Sequence, residues 1–143
     1  MKVSGQTQLA LRMMLVIGEN APGQGLTQRK EIVKKLQVND AYVEQILLKL
    51  KQAGLVYTVR GRNGGCRLGR GMEDITLKEV FEAFEGDTAE VGDGGGRGGG
   101  SPADAACRGV WSDMGNVLAE YLGGVTLADV RDREHRAAPE YVI

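Results

Sequence analysis

A chain of 143 residues, 42% hydrophobic and 26% charged, is long enough for one folded domain plus an oligomerisation element. It holds no apolar run near 18 residues and no secretory signal, which excludes a helical membrane span and gives the expectation of a soluble cytoplasmic protein. The two cysteines, Cys66 and Cys107, lie 41 positions apart and argue against a disulfide scaffold.

Residues 4–20 read as the first helix. Ser4 can cap it, and Leu9, Met13, Val16 and Ile17 form an apolar stripe. Packing is a sufficient role for Met13 and Met14. Residues 20–25 make a loop. Thr27 is the expected N-cap of a second helix over 28–36, with Ile32, Val33 and Leu36 on one face. Gln37, Val38 and Asn39 turn the chain, and Asn39 or Asp40 can cap a third helix. There Val43, Ile46, Leu47 and Leu50 fall at i, i+3, i+4 and i+7, a buried stripe. The other face carries Ala41, Glu44, Gln45, Lys49, Lys51 and Gln52, and Gly54 marks the C-cap. Two short helices with a tight turn form a helix-turn-helix, whose second helix enters the major groove N-terminus first. The groove-facing residues are then Asn39, Ala41, Tyr42, Glu44 and Gln45, with Thr27, Gln28 and Lys49 as further DNA contacts. Glutamate can accept from a cytosine amino group, and glutamine can pair with adenine.

A strand pair follows, residues 55–60 and 66–68, joined through Gly61, Gly64 and Gly65. These glycines are expected to supply positive φ, which Asn63 also tolerates. A hairpin carrying Arg60, Arg62 and Arg67 behind a recognition helix is a wing, and arginines at its tip suit the narrow minor groove. Charge agrees with this pattern. Between Arg29 and Arg70 there are ten basic and three acidic residues, net +7 in a chain of −1, so the remainder carries −8. A basic module inside an acidic chain points to a polyanionic partner.

Beyond the wing, residues 69–74 form a loop. Thr76 caps a helix over 77–85 with Leu77, Val80, Phe81 and Phe84 apolar, and with Glu79, Glu82 and Glu85 on a solvated face. Residues 92–100 contain seven glycines in nine positions and are expected to be mobile. No Gly-Lys-Ser or Gly-Lys-Thr follows, so this is not a phosphate loop. A long helix runs from about Pro102 to Leu122, capped by Ser101 or Asp104 and stopped by Gly123 and Gly124. Its Val110, Met114, Val117, Leu118, Tyr121 and Leu122 recur at helical spacing, and such a stripe calls for a partner. Residues 126–130 form a short helix, and 132–143 a fraying tail with His135 solvated.

In order along the chain stand Met1-Lys2-Val3-Ser4, Ala41-Tyr42-Val43-Glu44-Gln45-Ile46-Leu47, Leu50-Lys51-Gln52-Ala53-Gly54-Leu55-Val56 and Val59-Arg60-Gly61. Gly64-Gly65-Cys66-Arg67-Leu68, Ile75-Thr76-Leu77-Lys78-Glu79-Val80 and Val125-Thr126-Leu127-Ala128-Asp129-Val130 follow. This ordered set resembles the bacterial repressor family that includes IscR, NsrR and CymR, over about residues 1–131. The resemblance implies a homodimeric winged-helix transcription factor, with Tyr42 and Glu44 working at the recognition helix and Arg60 at the wing. It also implies that the long helix is the dimer helix, through Val110, Met114, Val117, Leu118 and Tyr121. Cluster-binding relatives carry three closely spaced cysteines in the loop that is glycine-rich here, and some use a carboxylate at the position of Gln8. Where relatives often have an aromatic residue, this chain has Cys66. An iron–sulfur cluster ordinarily takes four ligands, mostly thiolates. Here only Cys107 is near, with Gln8, Asp93 or Asp104 as weak companions.

These readings give a mainly α fold with a small β-wing: a winged helix-turn-helix domain over 1–75, a connecting helix over 76–91, a glycine-rich loop over 92–101, a dimerisation helix and short terminal helix over 102–131, and a tail over 132–143. The expected function is sequence-specific DNA binding, as a homodimeric repressor on a palindromic operator. The partners are double-stranded DNA and a second copy of the chain, and no membrane. Two alternatives stand: a winged-helix module that binds protein instead, and an iron–sulfur or redox sensor using Cys107, next to Arg108 at a helix start. No cofactor or metal site is assigned, and no nucleophile–base pair or acid pair marks an enzyme.

Overall fold

Helix α1 (Gly5–Gly18) is the centre of the core in the computed structural model, which describes residues 2–20, 25–92 and 100–137. Ser4 caps it by accepting from the Thr7 amide. Leu9, Ala10, Met13, Met14, Val16 and Ile17 are all buried, more than one face, because four helices and the sheet close on α1. Unbranched methionines suit such an irregular gap.

Helix α2 (Arg29–Leu36) and helix α3 (Asp40–Gln52) form the helix-turn-helix. The turn needs a left-handed residue, and Gln37 supplies it at φ 54°. Asn39 caps α3, its Oδ1 accepting from the amides of Ala41 and Tyr42. Val43, Ile46, Leu47 and Leu50 are buried as their spacing predicts. At the C-terminus Gly54, at φ +74°, donates to the Lys51 carbonyl, and Leu55 donates to that of Leu50, both at 3.0 Å. This pair of bonds is a Schellman cap and turns the chain directly into the sheet.

Strands β1 (Val56–Val59) and β2 (Gly65–Leu68) pair antiparallel, with Val56 opposite Leu68 and Val59 opposite Gly65. Two expectations need correction here. Thr27 does not cap α2; Gln28 stands there, without a side-chain hydrogen bond. Thr27 instead bridges to Cys66, N–H to carbonyl at 2.9 Å and carbonyl to N–H at 2.8 Å, while its hydroxyl accepts from Asn20 at 2.6 Å. The inner edge of a buried strand must satisfy its backbone groups, and Thr27 does so as a one-residue third strand. At the tip only Gly61 has positive φ. Gly64 and Gly65 are needed for close approach: a Cβ on Gly64 would overlap the Val59 carbonyl, and one on Gly65 would come within 2.7 Å of the Thr27 carbonyl oxygen.

A 3-10 turn (Met72–Asp74) interrupts the loop before helix α4 (Leu77–Glu85). Thr76 and Glu79 form a full capping box at its start. The glutamates of α4 are not merely a solvated face. Glu79 also pairs with Arg70, and Glu82 accepts from the Thr88 amide at 3.1 Å. Glu85 accepts from the Ser4 amide at 2.8 Å and from the Thr7 hydroxyl at 2.6 Å, tying the end of α4 to the start of α1.

A second 3-10 turn (Thr88–Gly92) lies against helix α5 (Pro102–Gly123), which opens with a Ser101–Asp104 capping box and Pro102 in its first turn. Helix α6 (Leu127–Ala137) is longer than the short helix expected. Thr126 and Asp129 cap it reciprocally, Leu127 anchors it in the core, and residues 132–137, read as tail, continue the helix. The mobility expected for 92–100 concerns residues of which 93–99 lie outside the described ones, as do 21–24 of the first loop and 138–143 of the tail.

Candidate nucleic-acid interface

Burying Val43, Ile46, Leu47 and Leu50 turns the opposite side of α3 to solvent. Ala41, Glu44, Gln45, Leu48, Lys51 and Gln52 are exposed there. Asn39 is exposed too, with its Oδ1 engaged in the cap. Tyr42 is half-buried at the edge of the face and packs against the core, its hydroxyl toward Gly5.

Lys49 does not belong to this face. Its ammonium donates to Gln6 Oε1 at 2.8 Å and sits 5.5 Å from the centre of the Phe84 ring, so it ties α3 to α1 and α4. Position 49 lies at the margin of the helical face, and tertiary contacts draw the long side chain backwards. Thr27 is removed from the surface altogether, at 1% exposure. Of the residues anticipated for DNA, Gln28, Asn39, Ala41, Glu44, Gln45, Arg60 and Arg62 remain accessible, Gln28 partly so.

Three residues near this face were not anticipated. Arg29 reaches across from α2, with Nε 2.8 Å from Asp40 and Nη1 3.5 Å from Glu44. A basic residue in the first turn of a helix opposes the macrodipole, and that was the available signal. Lys30 is exposed beside it. Leu48, 56% exposed, lies among the polar residues of the reading face, one turn beyond Glu44.

An open cleft of about 650 Å³ separates the first turns of α2 and α3 from the wing. Gln28, Arg29, Lys30 and Asp40 line one wall, and Val59, Gly61, Arg62 and Gly64 the other. Arg60 and Arg62 are exposed at the tip, and Arg67 lies 5.7 Å over the Tyr57 ring on the outer side of the sheet. A helix face and a basic hairpin tip thus border one groove, an arrangement that can straddle a sugar–phosphate backbone.

The anticipated dimer helix exposes Val110, Trp111, Met114, Val117 and Tyr121 at 40–66%. Leu118 is half-buried within its own protomer, and Leu122 is buried there too. Trp111 escaped notice because it sits one position from Val110; its spacing to Met114 and Leu118 was the signal.

The two cysteines differ sharply. Cys66 is fully buried, its thiol 3.2 Å from the Thr27 carbonyl, and burial pushes its pKa up to about 11, with help from the charge of Glu31. Cys107 is exposed near the start of α5. Gln8 donates to the Val3 carbonyl, and Asp104 is engaged with Ser101. Among the described residues no three His, Cys, Asp or Glu side chains gather as metal ligands would. A cluster resting mainly on thiolates does not fit a chain whose two cysteines stand so differently. No helix among the described residues is long and apolar enough to cross a membrane.

Known proteins converge on this architecture. The family model described as Rrf2, iron-dependent transcriptional regulator, matches residues 3–133. The HTH-type transcriptional regulator IscR of Cereibacter sphaeroides is 32% identical over 120 residues, covering 82% of this chain and 77% of that protein. The solved structure of CymR, the global cysteine regulator of B. subtilis, superposes with a TM-score of 0.76 at 26% identity, over 93% of this chain and 98% of its own. That of T. potens IscR gives 0.76 at 27% identity, over 97% and 92%.

Proposed function

The chain belongs to the Rrf2 family of transcriptional regulators, and from that premise we propose that it acts as a homodimeric repressor on a two-fold symmetric operator in the cytoplasm. It is a DNA-binding regulator of transcription with a winged helix-turn-helix, and not an enzyme. The observation that carries the finer reading is the cleft between the wing tip and the first turn of α2, with Asp40 at the start of α3 on its rim. Helix α3 occupies the major groove, where Ala41, Glu44 and Gln45 meet base edges, and Tyr42 supports them from the margin. Arg60 and Arg62 enter the neighbouring minor groove. The phosphate backbone between them runs along the first turn of α2, whose amides have no side-chain cap and whose Arg29 and Lys30 add charge.

The exposed apolar row of α5 supports pairing of two copies, which matches a palindromic site. Any thiol-based signal falls to Cys107, since the Cys66 thiol is inaccessible and held protonated. A cluster is not part of this proposal, because the residues present do not supply its ligands. The test is selection from random duplexes followed by footprinting and salt titration. A palindromic consensus, protection in alternating major and minor grooves, and a steep loss of affinity with salt are expected. Enrichment of no sequence would instead favour a winged-helix module that binds protein.

A further inference from the structure

Arg29 belongs to α2, yet its guanidinium lies against the first turns of α3. Nε is 2.8 Å from Oδ1 of Asp40, and Nη1 is 3.5 Å from Oε1 of Glu44. All three side chains are well exposed, at 44%, 57% and 66%. A bridge so open to water contributes little to folding. Its effect is on what the reading helix presents. Asp40 and Glu44 stand one turn apart on one face, an unfavourable like-charge spacing in a helix. The same two charges are repelled by a nucleic-acid backbone. With Arg29 between them, the doubly negative edge becomes a triad of net charge −1. Glutamate has three rotatable bonds; left alone, its carboxylate would swing toward solvent, away from phosphate. With Arg29 Nη1 3.5 Å away, it is biased toward a place over the start of the helix. The guanidinium has five N–H groups and can keep this grip while offering others to a phosphate.

We infer that Arg29 is a specificity-determining residue: by holding Glu44 it fixes which base pair that carboxylate accepts from. The inference rests on the DNA-reading function proposed above. Arg29 itself reads no base. It acts as a positioning residue, so its loss relaxes preference at one position beyond any loss of phosphate affinity shared by every site. Lysine in its place keeps the charge but lacks the fork, and so cannot bridge both carboxylates in the same way.

The experiment uses the full chain and its own selected operator. Affinities of the wild type, Arg29→Ala, Arg29→Lys, Glu44→Ala and the Arg29→Ala/Glu44→Ala double variant are measured on a panel that replaces each base pair in turn. Thermal melts show that each variant folds. Glu44→Ala identifies the position that Glu44 reads. Arg29→Ala is expected to reduce discrimination at that same position about two- to fivefold, the range an exposed ion pair can supply. In the Glu44→Ala background it is expected to change that position no further. Arg29→Lys, which keeps the charge but not the fork, is expected to relax discrimination at the same position as Arg29→Ala does. A uniform loss across the panel with discrimination at that position unchanged, or an equal effect of Arg29→Ala with and without Glu44, would overturn the inference and leave Arg29 as a phosphate contact alone. A wild type that selects no sequence overturns this inference and the DNA reading together, which separates the two failures.

Discussion

Val117→Asp is expected to dissociate the proposed dimer while leaving the protomer folded. Val117 is 66% exposed in the single protomer, so two thirds of it is available to bury against a partner. Full burial of a valine contributes about 1.5–3 kcal/mol, and two thirds of that is about 1–2 kcal/mol per protomer. An unpaired polar group seated in the same place costs roughly another 1–3 kcal/mol on mutational scales. Two-fold symmetry counts both effects twice, giving about 4–10 kcal/mol per dimer, or roughly three to seven powers of ten in Kd. Sedimentation velocity at micromolar concentration checks this, with circular dichroism to show that helix content is retained. A variant that still sediments as a dimer, or a wild type that is already a monomer, would refute the assignment of α5 as the dimer helix. Leu118→Asp should also break the pair, but it is the poorer probe. Its half-buried side chain packs within the protomer, and loss of the dimer would be mixed with loss of the fold.

Arg60→Ala should weaken specific binding by about 1–3 kcal/mol without lowering Tm, since the side chain is exposed and makes no core contact; an unchanged minor-groove footprint in the variant would count against the wing contact. Hydrogen bonds from Ser4, and then from Thr7, hold the Glu85 carboxyl below the ordinary glutamate range. A folded pKa below the unfolded value of about 4.3 gives stability that is present above that pH and lost as pH falls through the folded pKa. Glu85→Gln should therefore be less stable than wild type in urea at neutral pH, with the gap closing in acid; a gap that is constant with pH would show that the carboxylate charge is not what matters. Iodoacetamide on the native protein at mildly alkaline pH should modify Cys107 and spare Cys66 until unfolding, and peptide mass spectrometry showing rapid modification of Cys66 would contradict its burial.

What was legible in the sequence was local. The start and length of α4 follow from Thr76 and the apolar period, all within one stretch of ten residues, while Glu79, expected on a solvated face, completes the cap. Ser101, Pro102 and the paired glycines bound α5 in the same way. The buried stripe of α3 follows from its period, and the exposed face follows from the stripe. What was missed depends on partners distant in sequence. Thr27 looks like a cap until Cys66 arrives beside it, and Lys49 looks like a surface charge until Gln6 and Phe84 close over it. Glu85 looks solvated until the start of α1 is placed against it. Arg29 is the same lesson at the site itself, because its contacts need the angle between α2 and α3, which no period in the sequence encodes.

The segments Ile75–Val80 and Val125–Val130 share one pattern, Thr-Leu followed by an acidic residue and valine. The structure sets them side by side. Leu77 donates to the Val125 carbonyl at 2.7 Å, and Leu127 donates to the Ile75 carbonyl at 2.9 Å, so two helix starts share a two-bond clasp. Each threonine also caps its own helix through the acidic residue three positions on. The clasp pins the chain just after α5 to the start of α4, and the far end of α4 is pinned through Glu85 to α1. Helix α1 in turn packs on α3. The route from α5 to α3 therefore passes through hydrogen-bonded and packed elements throughout. A dimer built on α5 would hold its two reading helices at a spacing set by this packing, as half-sites on a duplex require. Cys107, Val110, Met114, Val117 and Tyr121 follow one another at steps of three, four, three and four, so the cysteine lies on the same row as the contacts expected between protomers. Modification of Cys107 would then act first on the pairing of the two copies, and on DNA only through the spacing that pairing sets.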